Sequence, residues 1–312
     1  MARQRLGLKR YLGIFGSSAA VVAGMMVLVA AGISGGGVLP SDAKPAYACH
    51  KPNHPCAATA TPTATPGGAT PTATPAGPVG GTFTDPLKIP PVLTAASINV
   101  TMAETQEQIL PGNATTMWTF NGEFPGPTIR RPTGQTTQVT FTNNMPPSSP
   151  FFQEGLSAVS DMTIHNHGNH STPANDGQPD DFLIPIGGSR VYTYTGLEAG
   201  GNERGVTQWY HDHRAPVTGR NVWHGLAGFY IIDDPADPST LPSGEFDVPL
   251  MIADRAFDAG NQTPYTFATA GVTGTTLLVN GVKQPFFEVG DRMYRFRILD
   301  ASNVRDYELA LS

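Results

Sequence analysis

Two short patterns concentrate the coordinating side chains of this chain: His165-Asn-His167 and His211-Asp-His213. Six of its 8 histidines fall between positions 165 and 224, and four of those six make up the two pairs. On a β-strand alternate side chains share a face, so an i, i+2 pair sends two imidazoles the same way, with Cβ atoms roughly 7 Å apart. Two such strands facing each other would form a nest of four ring nitrogens. Imidazole suits copper, zinc and iron alike, and no thiolate is close enough in sequence to select among them. One His-x-His pair in a β protein is commonly a surface or satisfied core feature; a second pair shifts the balance to a metal site. His211 follows Trp209-Tyr210 in a strand-like run, which places Trp209, His211 and His213 on one face, an apolar approach leading into ligands, and Tyr210 and Asp212 on the other.

Strands must carry these pairs, and the patterning supplies them. Period-two alternation recurs at Val139/Phe141, at Val191-Tyr-Thr-Tyr194, and at Tyr294/Phe296/Ile298 against Arg295/Arg297. Turn signals punctuate the runs: Asn121-Gly122, Pro125-Gly-Pro127, Gly187-Gly188, Gly200-Gly201 and Asn280-Gly281. No helical period persists beyond about three turns. Many short strands with Gly/Pro turns predict an all-β sandwich or barrel.

Composition agrees. The 35 glycines and 29 prolines are about a fifth of the 312 residues, against roughly 12% on average, which excludes a coiled coil or helical bundle. Hydrophobic residues at 39% are enough to bury a core, which excludes wholesale disorder. The net charge of −6, with no basic block beyond the first ten residues, does not favour nucleic acid as a partner.

Arg3, Arg5, Lys9 and Arg10 precede an uncharged run from Tyr11 to Ile33, which reads as an export signal. The run is long enough to span a bilayer, and Ala46-Tyr47-Ala48 offers a small-x-small cleavage site, so a membrane anchor and a cleaved leader both fit residues 1–48. Either way the remainder is exported, outside the cell or anchored on the outer face. Residues 49–81 form a Thr/Pro/Ala-rich linker with repeats such as Thr61-Pro-Thr-Ala-Thr-Pro66. Such a spacer is extended and would tether the folded part, from Thr82 onward, to membrane or wall.

Four longer motifs then carry a resemblance. Phe120-Asn-Gly-Glu-Phe-Pro-Gly-Pro-Thr-Ile129, His165-x-His167-Gly168, Trp209-Tyr-His-Asp-His213 and Gly225-Leu-Ala-Gly-Phe-Tyr-Ile-Ile232 resemble, in order and spacing, the first cupredoxin domain of a multicopper oxidase. The branch they look most like holds spore-coat laccases and bilirubin oxidases. Leu241 to Leu250, Leu278-Val-Asn-Gly281 and Tyr294 to Ile298 are similar to the opening of that branch's second domain. The resemblance implies a cupredoxin-like Greek-key β-sandwich over 82–235 and a truncated second cupredoxin-like domain over 236–312. It implies that His165 holds the type 2 copper of a trinuclear cluster and that His167, His211 and His213 hold the type 3 pair. It further implies that Asp176, eleven positions after His165, supplies protons for oxygen reduction, although before Gly177 it also reads as a plain turn residue. The implied reaction is one-electron oxidation of a small donor (a phenol, a bilirubin-like compound or a metal ion) coupled to four-electron reduction of O2 to water.

The pattern also departs from the family's. No histidine follows His224 and no cysteine follows Cys56, so half of the trinuclear ligands and the whole type 1 copper site are absent. The expectation is an N-terminal portion of a longer oxidase whose C-terminal cupredoxin domain is needed for activity; a non-catalytic copper-binding cell-surface module is the alternative. Cys49-His50-x-x-x-His54 has part of a blue-copper spacing, but Ala48 and Thr59 stand where His and Met would be needed, so a Cys49–Cys56 disulfide is the expectation there. His165-x-His167-x-x-His170 matches a metallo-β-lactamase zinc spacing with Asn169 in place of Asp, making a zinc hydrolase a further alternative.

Overall fold

The structure, a computed structural model, describes residues 83–310 apart from 156, 157 and 269. The export segment and the linker, with Cys49, Cys56, His50 and His54, lie outside the described residues. No helix among the described residues is long and apolar enough to cross a membrane.

Strands dominate. The first stretch holds β1 (Val92–Leu93), β2 (Ser97–Glu107), β3 (Thr115–Phe120), β4 (Gly126–Pro132) and β5 (Thr137–Asn143). Then come β6 (Ile164–His167), β7 (Ser189–Tyr194), a small ribbon of β8 (Leu197–Glu198) with β9 (Gly201–Asn202), and β10 (Val206–Asp212). One short helix, α1 (Thr218–Trp223), precedes β11 (Ala227–Asp233). The last strands are β12 (Asp247–Arg255), β13 (Thr276–Val279), β14 (Val282–Lys283) and β15 (Arg295–Asp300).

Two sheets make a sandwich, in the orders β1-β4-β11-β10-β6 and β3-β2-β5-β7. The all-β sandwich expected from the patterning is borne out. Val139 and Phe141 of β5 alternate inward, as do Tyr192 and Tyr194 of β7, and they meet Ile164, Tyr210 and Tyr230 from the opposite sheet in one core. Each such side chain, fully buried, contributes about 1.5–3 kcal/mol. Both Asn-Gly dipeptides make two-residue hairpins with φ positive at both positions, bridging Phe120 to Glu123 and Val279 to Val282, the geometry that suits the twist of the flanking strands.

The run Ala227-Gly-Phe-Tyr-Ile-Ile232 is apolar throughout because β11 is covered on both faces. Tyr230 and Ile232 enter the sandwich core, whereas Ala227, Phe229 and Ile231 pack outward against Met251 and Ala301. Met251 belongs to a third sheet, ordered β14-β13-β12-β15, that lies against this outer face. A buried ionic network pins the two together. Arg297 grips both oxygens of Asp247 at 2.7 and 2.8 Å, Arg130 reaches the same carboxylate at 2.7 Å and Asp233 besides, and Arg297 also donates to Thr207. This corrects the expected facing of β15: Arg297 is buried and Ile298 is 51% exposed. The aliphatic side chain cedes the interior there because Arg297 completes the charge pairing of the buried Asp247, gripping both oxygens where Arg130 reaches one.

Candidate metal centre

The topology explains how the two histidine pairs meet. β10 lies between β11 and β6, running antiparallel to both, and its pairing with β6 sets His211 opposite His165 and Trp209 opposite His167. Ile164 and Tyr210 point into the sandwich core, so the imidazoles, one residue out of phase, project from the outer face. The expected picture of two strands facing each other is corrected: they are neighbours in one sheet, and the rings stand side by side on the face away from the core. Neighbouring strands lie about 4.8 Å apart, which is what brings the rings into contact range.

The ring centroids of His165 lie 5.4 Å from His167, 5.5 Å from His211 and 4.9 Å from His213. Those of His211 lie 5.9 Å from His167 and 5.7 Å from His213. Ligand nitrogens of His165, His167 and His211 all fall within 4.8 Å of one another. Metal–imidazole bonds of about 2.0–2.1 Å let two ligands on one ion stand up to about 4 Å apart. His213 stacks on His165 without joining that triad, so the four rings form a three-membered group and a flanking fourth. Trp209 backs the cluster as expected, stacked on His211 at 4.1 Å and on His167 at 5.5 Å. His211 is 4% exposed, while His167 is open to solvent.

Backbone carbonyls settle which ring nitrogen is presented. His165 Nδ1 lies 2.5 Å from the Asp176 carbonyl, His213 Nδ1 2.9 Å from that of Gly177, and His211 Nδ1 2.8 Å from that of Asp212. A carbonyl only accepts, so each Nδ1 carries a hydrogen and each Nε2 is the nitrogen left to face a ligand. His211 Nε2 is buried without a partner, an arrangement that otherwise costs about 1–3 kcal/mol. Burial pushes His211 down to about 3 and lowers His165 as well, so both rings are neutral near pH 7 and ready to coordinate without losing a proton. An all-imidazole donor set, three of its rings oriented by backbone carbonyls, fits a copper-type ion.

Asp176 and Gly177 owe their position to a tight crossing over β6. Asp176 closes a short 3-10 turn (Pro173–Asn175), and Gly177 has φ +71° with its backbone against that of Ile164 and His165. The side chain of Asp176 lies near the ring, with Oδ1 3.5 Å from His165 Nδ1, and Oδ2 accepts from Gln178. The turn reading and the site reading of Asp176 are therefore compatible: the turn is what delivers it.

Sequence reasoning missed the carbonyls of residues 176, 177 and 212, because any residue type supplies a carbonyl. It also missed the work of Asp212, whose fully buried carboxylate accepts from Thr163, Arg214 and Asn221. Its i, i+2 neighbours were the available signal. His170 turns to Glu203 at 3.2 Å and is not in the nitrogen group, so the zinc-hydrolase spacing is not realised. His224 is buried against Phe151 and faces Glu154 at 2.6 Å, a packing residue with a charged partner.

Known proteins are similar to this chain. A family model for multicopper oxidase matches residues 101–237. A laccase of Bacillus stratosphericus is 36% identical over 227 residues, covering 63% of this chain and 44% of that protein. A laccase of Bacillus subtilis (strain 168) is 34% identical over 269 residues, covering 73% and 51%. Among solved structures, the 2F4 variant of the McoA multicopper oxidase from Aquifex aeolicus superposes with a TM-score of 0.60 at 31% identity, covering 71% of this chain and 47% of that one. The chain spans about half the length of the curated relatives it matches.

Proposed function

Because the chain belongs to the multicopper oxidase family, we propose that it contributes half of the trinuclear copper site of an exported, laccase-like enzyme. That enzyme couples one-electron oxidation of a phenolic, bilirubin-like or metal-ion donor to four-electron reduction of O2 to water. The observation that carries the reading is the side-by-side cluster of four imidazoles, three of them locked by carbonyls with Nε2 presented. His165 serves the type 2 position, and His167, His211 and His213 serve the type 3 pair. Copper, when bound, supplies the one-electron redox chemistry that no side chain here provides. Four imidazoles do not saturate three coppers, so further donors come from outside the described residues. The described residues contain no cysteine, and the blue-copper entry point for electrons is therefore assigned elsewhere too. In this reading residues 82–235 form the first cupredoxin domain and 236–312 part of a second.

The chain's own residues do three things in this scheme. The carbonyls of 176, 177 and 212 aim the rings. Trp209 shields the buried side of the cluster from water. Asp176, 33% exposed and 3.5 Å from His165, holds a proton between solvent and the cluster, as a reaction consuming four protons per O2 requires. Cu(II) titration followed by electron paramagnetic resonance tests the ligand set: the chain shows weak imidazole coordination that His165→Ala and His211→Ala each abolish, and no oxygen consumption with a phenolic donor. Turnover by purified chain, or unchanged copper signals in both variants, overturns the reading.

A further inference from the structure

Building on that ligand assignment, we propose that Asn221 is a positioning residue for the metal centre, acting through Asp212 to hold His211 and His213 on a common aim. The need for such a device arises at the end of β10. Its pairing with β11 stops at His211–Ala227, and its pairing with β6 stops at Asp212–Ile164. His213 stands beyond the last rung, its backbone tied to the residue just before β6 through its N–H to the Thr163 carbonyl at 2.8 Å. The i, i+2 geometry that sets two side chains on one face is guaranteed inside a strand and not past its end.

Asp212 sits between the two histidines and points the opposite way, into the interior, with no exposure. One oxygen accepts from the Thr163 N–H at 3.1 Å, two residues before His165 and immediately before β6. The other accepts from the Arg214 N–H at 3.1 Å, just past His213, and from Asn221 Nδ2 at 2.7 Å. This carboxylate therefore fastens the start of one histidine pair to the end of the other. The shortest of its three bonds is the one from Asn221.

Asn221 is itself oriented. Its amide oxygen accepts from Arg220 Nε at 2.9 Å, which leaves the NH2 group to face Asp212. Arg220, 1% exposed, also donates to the carbonyls of Phe152, Glu154 and Val159. A fixed sequence of bonds thus runs from the carbonyls of Phe152, Glu154 and Val159 through Arg220 and Asn221 to the carboxylate between two ligands. Outer partners of this kind typically change metal affinity 10–100-fold when removed.

Long-range proton–nitrogen NMR correlations of the imidazoles in the metal-free chain read this directly, independently of copper. The wild type shows His165, His211 and His213 each as a single Nδ1–H tautomer. Asn221→Ala leaves His165 so, since that ring stands on a paired residue within β6, but turns His213 and His211, on either side of Asp212, into tautomer mixtures. Val222→Ala, a cavity on the same helix that loosens the fold without touching Asp212, keeps all three single. Should Asn221→Ala not fold, Asn221→Ser, with a shorter donor, shows the same change at smaller size. Wild-type tautomers in a folded Asn221 variant overturn the proposal, as does an equal effect from Val222→Ala. In Cu(II) titrations Asn221→Ala weakens binding at least tenfold and Val222→Ala less than twofold. Binding that survives His211→Ala, alongside lost tautomers in Asn221→Ala, would sink the ligand assignment and leave the positioning role standing.

Discussion

Replacing Gly177 by Ala tests how the imidazoles are aimed. The residue has φ +71°, and a Cβ built there falls inside contact distance of the Ile164 carbonyl and 2.6 Å from His165 N. Those atoms are backbone of β6 and have no rotamer to escape by, so the turn must lift by about 1 Å to restore ordinary contacts near 3.5 Å. Such a lift carries the carbonyls of 176 and 177, now 2.5 and 2.9 Å from His165 and His213, to or beyond the limit of useful hydrogen bonds. The left-handed backbone costs an Ala about 1–2 kcal/mol, and two lost hydrogen bonds cost about 0.5–1.5 kcal/mol each, giving roughly 2–5 kcal/mol in all. Urea unfolding measures it. Gly187→Ala is the control, with φ +78° and nothing within 4 Å of its built Cβ; it carries the backbone cost alone, about 1–2 kcal/mol. Copper affinity separates the two further, falling about 10–100-fold in Gly177→Ala and staying level in Gly187→Ala. Equal destabilisation by the two substitutions, with equal copper affinity, would refute the claim that this crossing aims the rings.

Three further outcomes follow from the same contacts. Burial depresses His211 to about 3 and His224 to about 4 in the folded protein, against about 6.5 unfolded. The unfolded chain therefore binds more protons between those values, and stability that is complete above about pH 6.5 drains away as pH falls toward 3, by at most about 1.4 kcal/mol per pH unit per group; a flat urea midpoint from pH 7 to pH 4.5 would contradict this. Asp176→Asn keeps the carbonyl that holds His165, so copper affinity of the chain stays within about twofold, while in the longer oxidase proposed above oxygen consumption slows about a hundredfold; loss of copper instead would show a positioning role for the side chain. Asp247→Ala leaves buried Arg297 without its bidentate partner and costs about 3–5 kcal/mol in equilibrium unfolding, whereas a change under 1 kcal/mol would mean the network is indifferent.

What the sequence disclosed and what it withheld divide along one physical line. Side-chain periodicity reports which face a residue takes, so both His-x-His pairs, the Trp209 backing and the core positions of β5 and β7 were readable from their order alone. The Asn-Gly turns were readable for a related reason, since few dipeptides tolerate positive φ twice. Strand neighbourhood is a different kind of fact. Nothing in the two pairs distinguished strands facing across a sandwich from strands adjacent in one sheet, and β6 is 39 residues upstream of β10 in the chain as counted from their last and first residues. The facing of β15 failed on charge: alternation assigned Ile298 inward, but an arginine with a buried carboxylate to meet outranks an isoleucine.

The elements that aim the rings are the least visible of all, and their chemistry explains why. Three of the four imidazoles are oriented by carbonyl oxygens, which every residue type provides, so selection at those positions acts on backbone course. Gly177 is the one place where that course leaves a mark in the sequence, because only its missing Cβ lets the turn cross β6. Asp212 leaves the second mark, as a charged residue with no solvent and three donors. A histidine-bearing strand that ends inside the proposed metal site needs both: a turn to aim the rings from one side and a buried carboxylate to hold the strand end from the other. Losing the turn should misdirect His165 and His213 together, while losing the carboxylate's support should spare His165, and that difference separates the two devices in a single set of imidazole spectra.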